Sequence, residues 1–169
     1  LVSKGSAVLQ GHCGILRPSQ WNVVRRIRLE ALSKTPDAFL GDFDIESDYD
    51  EEYWRGTFET ASWHVFIAAD APMPDRIAGI ARSSILDEFP DERYVESFWV
   101  RPHYRHQQVG RRMLHSIERE ARRELRSVVR LSVLRKNQEA IRAFQSLGLS
   151  AVVEARSSKD EICLELPLT

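Results

Sequence analysis

The most constraining feature of the chain is a change of hydrophobic period within one short stretch. Residues 94–100 (YVESFWV) have the composition of a strand, and Pro102 stops it. From Val109 the apolar residues recur at helical spacing, through Met113, Ile117, Ala121 and Leu125. Arg111, Arg112, His115, Arg119 and Arg122 fall on the other side of that helix. Between strand and helix lies the run Arg105-His106-Gln107-Gln108-Val109-Gly110-Arg111. A helix start leaves about four backbone N–H groups without partners and carries a fractional positive charge. Gly110 lets the backbone approach a phosphate closely, and the flanking arginines add charge-assisted hydrogen bonds. The element therefore reads as an anion site, although a solvated basic face explains the charge alone equally well.

The rest of the chain frames this element without competing with it. Its 169 residues suit one domain over 1–169, and 43% hydrophobic with 29% charged residues is ordinary globular composition. Residues 1–11 read as a flexible or trimmed start. A net charge of −1 gives no global pull toward nucleic acid or membrane. Cys13 and Cys163 lack CxxC spacing and read as free thiols. The five histidines show no HxxxH or HExxH pattern, so no metal site is expected. No apolar run approaches the roughly 18 residues of a membrane span, and nothing resembles a signal peptide, so a cytoplasmic protein is expected.

Residues 13–17 form a short apolar run. Pro18 and Ser19 open a helix carrying Val23, Val24, Ile27 and Ala31, which Pro36 ends. Residues 42–52 form an acidic loop leading into a short helix with Tyr53, Trp54 and Phe58. Residues 64–69 and 77–85 read as antiparallel strands joined by a turn at Pro72, Met73 and Pro74. After the long helix come a strand over 128–134, a helix capped by Asn137 and closed by Gly148, and strands over 152–154 and 162–166.

Two ordered motifs give this frame a family. The run Phe98-Trp99-Val100-Arg101-Pro102-His103-Tyr104-Arg105, followed by Val109-Gly110-Arg111, resembles the acetyl-CoA signature of the GNAT superfamily of N-acetyltransferases. The later Asn137-Gln138-Glu139-Ala140-Ile141-Arg142-Ala143-Phe144-Gln145-Ser146-Leu147-Gly148-Leu149 resembles its second signature. Arg28-Leu29-Glu30-Ala31-Leu32 and Pro36-Asp37-Ala38-Phe39 look like the opening of many such enzymes. The resemblance implies an α+β fold, a mixed and mostly antiparallel sheet of about six or seven strands with helices on both faces. It implies acetyl-CoA as co-substrate and no metal.

Residue by residue, it implies that the backbone of Phe98, Trp99 and Val100 pairs with pantetheine as an added strand. One of those N–H groups would face the thioester oxygen. The backbone of Arg105, His106, Gln107, Gln108, Val109, Gly110 and Arg111 would hold the pyrophosphate. Asn137 would contact pantetheine or a nearby water, and Phe144 would line the channel by the sulfur. Two residues depart from the pattern. Gln108 stands where the family has its first glycine, and Phe144 replaces a tyrosine that in many members protonates the departing thiolate. Slower or differently assisted chemistry is the expectation.

The acceptor is expected to be a primary amine, small or on a protein, attacking the thioester directly; homodimer formation through the last strands is a further expectation of the family. Strand alternation puts Tyr94, Glu96, Phe98 and Val100 on one face. In the family a carboxylate facing the substrate from this strand often serves as base, which makes Glu96 the first candidate, with Tyr94 and Glu30 next. Seven acids and no base between Asp42 and Glu52 suggest a negative funnel for a cationic amine. A solvated loop is the plain alternative. Two other functions stay open, a non-catalytic acyl-CoA-binding module and a nucleic-acid binder. The acids Glu118, Glu120 and Glu124 argue against the second.

Overall fold

Among the described residues, the parallel pairing expected of a strand–helix–strand unit is present once, and it organises the sheet. The computed structural model describes residues 8–69, 76–153 and 158–169. The expected turn at Pro72, Met73 and Pro74 lies outside the described residues, as does the end of the expected strand at Glu154. In chain order the elements are β1 (Gly11–Ile15), α1 (Trp21–Lys34), α2 (Phe43–Ser47), α3 (Glu51–Gly56), β2 (Ala61–Ala68) and β3 (Ile77–Leu86). They continue with β4 (Phe89–Val100), α4 (Val109–Arg123), β5 (Val128–Leu134), α5 (Gln138–Ser146), β6 (Ser150–Val152) and β7 (Glu161–Pro167). Among the described residues the sheet has seven strands in the order β1-β2-β3-β4-β5-β7-β6. Neighbours are antiparallel except β4 and β5. This is the expected mixed, mostly antiparallel sheet. Among the described residues no helix is long and apolar enough to cross a membrane.

Alternation along β2 divides the core into two layers. Phe66 faces Met113, Leu114 and Ile117 of α4, and Ile141 and Phe144 of α5 join the same cluster. Val65 faces the other way, toward Val24, Ile27 and Ala31 of α1 and Trp54 of α3. The helices therefore cover both faces.

Four local expectations need correction. The acidic stretch is not a loop throughout, because α2 forms inside it. The Asp42 carboxylate accepts from the Ile45 N–H at 3.1 Å, and Asp50 accepts from the Tyr53 N–H at 2.9 Å, so two acids act as helix caps. Strand β4 begins at Phe89, well before Tyr94, with Pro90 tolerated in the exposed first residues. The apolar stripe of α4 stops at Ala121. Leu125 lies beyond the helix at φ 58° and is 89% exposed, while the Arg126 N–H closes on the Ala121 carbonyl at 2.9 Å.

The fourth correction bears on function. Ile80 pairs with Trp99 but Arg82 pairs with Glu96, so β4 carries one residue more than β3 in that interval. The bulge centres on Ser97 at φ 54°. Val95, Phe98 and Val100 consequently all face the α4 side, and Trp99 faces α1. Tyr94 and Glu96 do not share a face with Phe98 and Val100, because the extra residue resets the alternation.

The C-terminal half of α4 is fixed to the sheet by a buried polar seam. His64 Nε2 is 2.8 Å from Ser83 Oγ and 3.0 Å from Glu120 Oε2. Arg93, only 3% exposed, donates to Ser83 Oγ at 3.0 Å and to Glu124 at 2.6 Å, and reaches Glu120 at 3.0 Å. Burial raises the Glu120 pKa, but His64 first, then Arg93 and Ser62, more than reverse this and hold it below its usual value. A carboxyl depressed on folding stabilises at pH above its unfolded value near 4.3 and loses that contribution as pH falls through its folded value. Glu120→Gln is expected to cost about 2 kcal/mol at pH 7 by leaving Arg93 and His64 short of a charged partner. In denaturant titrations the gap to wild type should narrow progressively as pH falls below about 4.3; a gap that stays constant from about pH 7 to about pH 3 would exclude this account.

Candidate active site

Strands β4 and β5 pair from Glu92–Val128 to Val95–Leu131 and no further. Beyond that point β4 stays with β3 as far as Val100, and β5 stays with β7 as far as Leu134. Each strand is held by its outer neighbour, so the two diverge and a wedge opens between them. A cavity of about 1190 Å³ fills it, running from α4 and α5 on one face to residues 34–39 on the other. The Arg101 N–H donates to the Ala78 carbonyl at 2.9 Å, on the β3 side. By strand alternation the backbone polar groups of Phe98 and Val100 point into the wedge. The Val100 carbonyl accepts from Arg105 Nε at 3.1 Å.

The turn that follows is held in an unusual backbone state. His106 has φ 60° and Gln108 has φ 68°, both left-handed. For residues with a Cβ this costs roughly 1 kcal/mol each, which a glycine would not incur. Gln108 is the N-cap of α4 and offers no side-chain cap. The first helical bond runs from the Arg112 N–H to the Gln108 carbonyl at 3.0 Å, so the amides of Val109, Gly110 and Arg111 precede it. Gly79 sets how close this end comes to the sheet. A Cβ there would lie 2.7 Å from Met113 Sδ and 3.0 Å from the Trp99 carbonyl oxygen, so only glycine lets α4 lie this near β3. At Gly110 a Cβ would sit 3.8 Å from Phe98 and 4.0 Å from Val100, ordinary contact distances. The protein itself does not require glycine at 110.

Of the residues expected at the coenzyme, Phe98, Trp99, Val100, Arg105, His106, Gln108, Val109, Gly110, Arg111, Asn137 and Phe144 line the cavity. Gln107 does not, and its amide donates instead to the His103 carbonyl at 2.8 Å. The Asn137 side-chain Oδ1 caps α5 by accepting from the Ala140 N–H at 3.2 Å. Phe144 meets Phe98 edge to face, with ring centres 5.2 Å apart, and makes an apolar wall.

The candidate bases separate clearly. Glu96 lines this cavity and also a second one of about 520 Å³, and Ser97 does the same. Glu96 forms an ion pair with Arg82 across β3. Tyr94 lines neither cavity. Burial pushes its phenol up, against a hydrogen bond with Ser132, so it stays protonated at neutral pH. Glu30 is gripped by both arms of Arg101, at 3.0 and 2.6 Å. Burial raises its pKa, and the bonds to Arg101 and Lys34 outweigh that and lower it. Glu30 thus ties α1 to the end of β4 and lines neither cavity.

The second cavity is lined by Glu46, Glu52 and Tyr53 of the α2–α3 region, with Arg28, Arg82 and Glu96. Arg28 holds Glu46 at 2.9 and 2.7 Å and reaches Ser97 Oγ at 3.4 Å. Glu51 pairs with Arg55 at 2.6 Å. The expected acidic funnel is therefore reduced, since caps and ion pairs engage Asp42, Asp50, Glu46 and Glu51. Among the described residues no three of His, Cys, Asp or Glu gather as metal ligands.

The acetyltransferase (GNAT) family model matches residues 26–149, which run from within α1 through the wedge and both helices that flank it. The chain belongs to the acetyltransferase (GNAT) family. Its expected activity as an acetyl-CoA-dependent acyltransferase follows from that membership. No curated protein matches the chain. Among solved structures, the fold is similar to a GNAT acetyltransferase of Staphylococcus aureus Mu50 at 13% identity, over 95% of this chain and 100% of that one, with a TM-score of 0.73. It is similar to yncA from Salmonella typhimurium, solved with its cofactor acetyl-CoA, at 18% identity, over 95% of each chain, TM-score 0.71. The ribosomal-protein-S18-alanine N-acetyltransferase of Escherichia coli is 17% identical over 95% of each chain, TM-score 0.65.

Within this GNAT chain, sequence reasoning missed the far wall of the wedge. Residues 34–39 line it, and Lys136 bridges to Asp37 at 3.2 Å across its mouth. The run Pro36-Asp37-Ala38-Phe39 was the available signal, since it already resembled the family's opening. For Gly110→Ala, helix propensity should raise stability by up to about 1 kcal/mol, because the new methyl meets nothing closer than 3.8 Å. If the first turn of α4 approaches a diphosphate, the same methyl should weaken acetyl-CoA about tenfold or more. Thermal melts and calorimetric titration check both halves, and unchanged affinity would show that the ligand keeps its distance from position 110.

Proposed function

We propose that this chain moves the acetyl group of acetyl-CoA onto a primary amine by direct attack, without an acyl-enzyme. One observation carries the reading. The wedge at the start of α4 meets a second cavity at Glu96 and Ser97, so two reactants entering from opposite sides come together there. Neither Cys13 nor Cys163 lines either cavity, which supports the direct route.

Pantetheine would lie along Phe98 to Val100 as an added strand, with the diphosphate over the amides of Val109 to Arg111. The neutral amine nitrogen attacks the thioester carbon, the oxygen gains charge, and a backbone N–H in the wedge stabilises it. The carbon–sulfur bond then breaks and the thiolate leaves. Glu96 accepts the amine's proton, directly or through water, while Arg82 keeps its carboxylate in place. Phe144 offers the sulfur no proton, so solvent supplies it. A thiol is a tolerable leaving group unaided, with an ordinary pKa near 8.5.

The lining of the acceptor cavity carries Glu46, Glu52 and Glu96 against Arg28 and Arg82, one acid in excess. That balance supports an acceptor arriving as a single ammonium ion rather than a polycation. The similar Escherichia coli structure is a ribosomal-protein-S18-alanine N-acetyltransferase, so peptide amines belong in the panel beside small ones.

Free-thiol release from acetyl-CoA with such a panel tests the reaction itself. Turnover should appear with monocationic amines; tight acetyl-CoA binding with no thiol from any amine would sink the proposal. Glu96→Gln is expected to lower kcat about 100-fold with acetyl-CoA affinity unchanged. A loss of binding alone would remove Glu96 from this role. Phe144→Tyr supplies a hydroxyl beside the sulfur and should raise kcat by up to about tenfold. An unchanged rate would mean that position 144 takes no part in protonation.

A further inference from the structure

Neither left-handed residue of the turn before α4, His106 or Gln108, is a glycine, so something outside the turn must hold it. Left to themselves, His106 and Gln108 favour right-handed or extended backbone. The contacts that oppose this come from the far end of the sequence. The Leu9 N–H donates to the Gln107 carbonyl at 3.3 Å. Arg112 Nη1 donates to the Leu9 carbonyl at 2.8 Å, and Nη2 donates to the Gly11 carbonyl. The Arg112 N–H itself donates to the Gln108 carbonyl at 3.0 Å. These bonds close a ring through residues 9, 107, 108 and 112.

The ring is anchored at two points. The Arg112 guanidinium lies 4.6 Å over the ring of Phe66, which is fully buried in β2. The Leu9 side chain packs on the core cluster beneath α4. Residues 9–11, which the sequence offers no reason to weigh, are thus part of the machinery around α4. Arg112 does not line the cavity. Its hydrogen bonds therefore reach a ligand there only through the turn, and Arg112→Lys keeps its charge so that the two effects separate.

We propose that Arg112 and residues 9–11 form a brace that keeps the diphosphate-binding turn in its binding geometry, compensating for glutamine at position 108. The inference rests on the reading of that turn as the coenzyme site. Arg112 is a positioning residue. Its planar fork donates to two carbonyls at once in a fixed geometry, which a flexible ammonium group matches less well.

The test is calorimetric titration of acetyl-CoA into wild type, Arg112→Met, Arg112→Lys, Gln108→Gly and the Gln108→Gly/Arg112→Met double variant, with kinetics alongside. Arg112→Met should weaken acetyl-CoA roughly tenfold and raise its KM equally, with kcat and the acceptor KM unchanged. Arg112→Lys should fall between. With glycine at 108 the loss from Arg112→Met should shrink to about twofold, because the turn then needs less support. Wild-type affinity in Arg112→Met would overturn the brace, as would an undiminished tenfold loss in the glycine background. Should Arg112→Met fail to fold, the lysine variant carries the same comparison.

Amide hydrogen exchange of residues 107–111 without ligand separates the two readings. If wild type takes up no acetyl-CoA, the coenzyme assignment falls, and the brace is judged on exchange alone. Faster exchange in the arginine variants upholds it; unchanged exchange overturns it.

Discussion

The parting of β4 from β5 after Val95 is the constraint on which the rest of the molecule depends. Two neighbouring parallel strands would ordinarily pair to their ends, because an unpaired buried backbone group costs free energy. Here each strand is pulled outward. β5 follows β7 through seven paired positions, and β4 follows β3 to Val100, where Arg101 is locked to Glu30 of α1. The wedge is therefore a product of the whole sheet. Its exposed backbone groups suit an extended ligand that supplies the missing strand partner.

The bulge at Ser97 lets one strand face two cavities. Without the extra residue, alternation would put Glu96 on the same face as Phe98 and Val100. With it, Glu96 faces Arg82, Tyr53 and the second cavity, while Phe98 and Val100 face α4 and α5. Ser97 carries the left-handed φ this requires, and its hydroxyl accepts from Arg28, itself gripped by Glu46. The strain sits where the two cavities meet.

Much of this was legible because its signals are local. Pro102, the stripe from Val109 to Ala121, the Asn137 cap and Gly148 each act within a few residues, and each element formed where they indicated. The misreadings share a different cause. Ser97 carries no mark of a bulge, because the bulge follows from how β3 and β4 pair. The acids between Asp42 and Glu52 looked alike, yet Asp42 and Asp50 cap helices and Glu46 pairs with Arg28 from α1. Glu96 was legible as a carboxylate on the strand before α4, but its partner Arg82 is set by cross-strand register. Partner choice is a tertiary property, and a single sequence does not encode it at short range.

The two departures from the family pattern behave differently for the same reason. Phe144 keeps an aromatic ring, packed edge to face on Phe98, and lacks only the hydroxyl, a local change that leaves the backbone alone. Gln108 alters the backbone requirement itself, and a strained turn of roughly 1 kcal/mol per left-handed residue persists only when its surroundings over-determine it. Those surroundings are Leu9, Phe66 and Arg112, drawn from the first described residues, the second strand and the helix. A motif judged residue by residue would count glutamine at 108 as a defect. Judged with its bonds, it is a turn whose freedom has been replaced by external support.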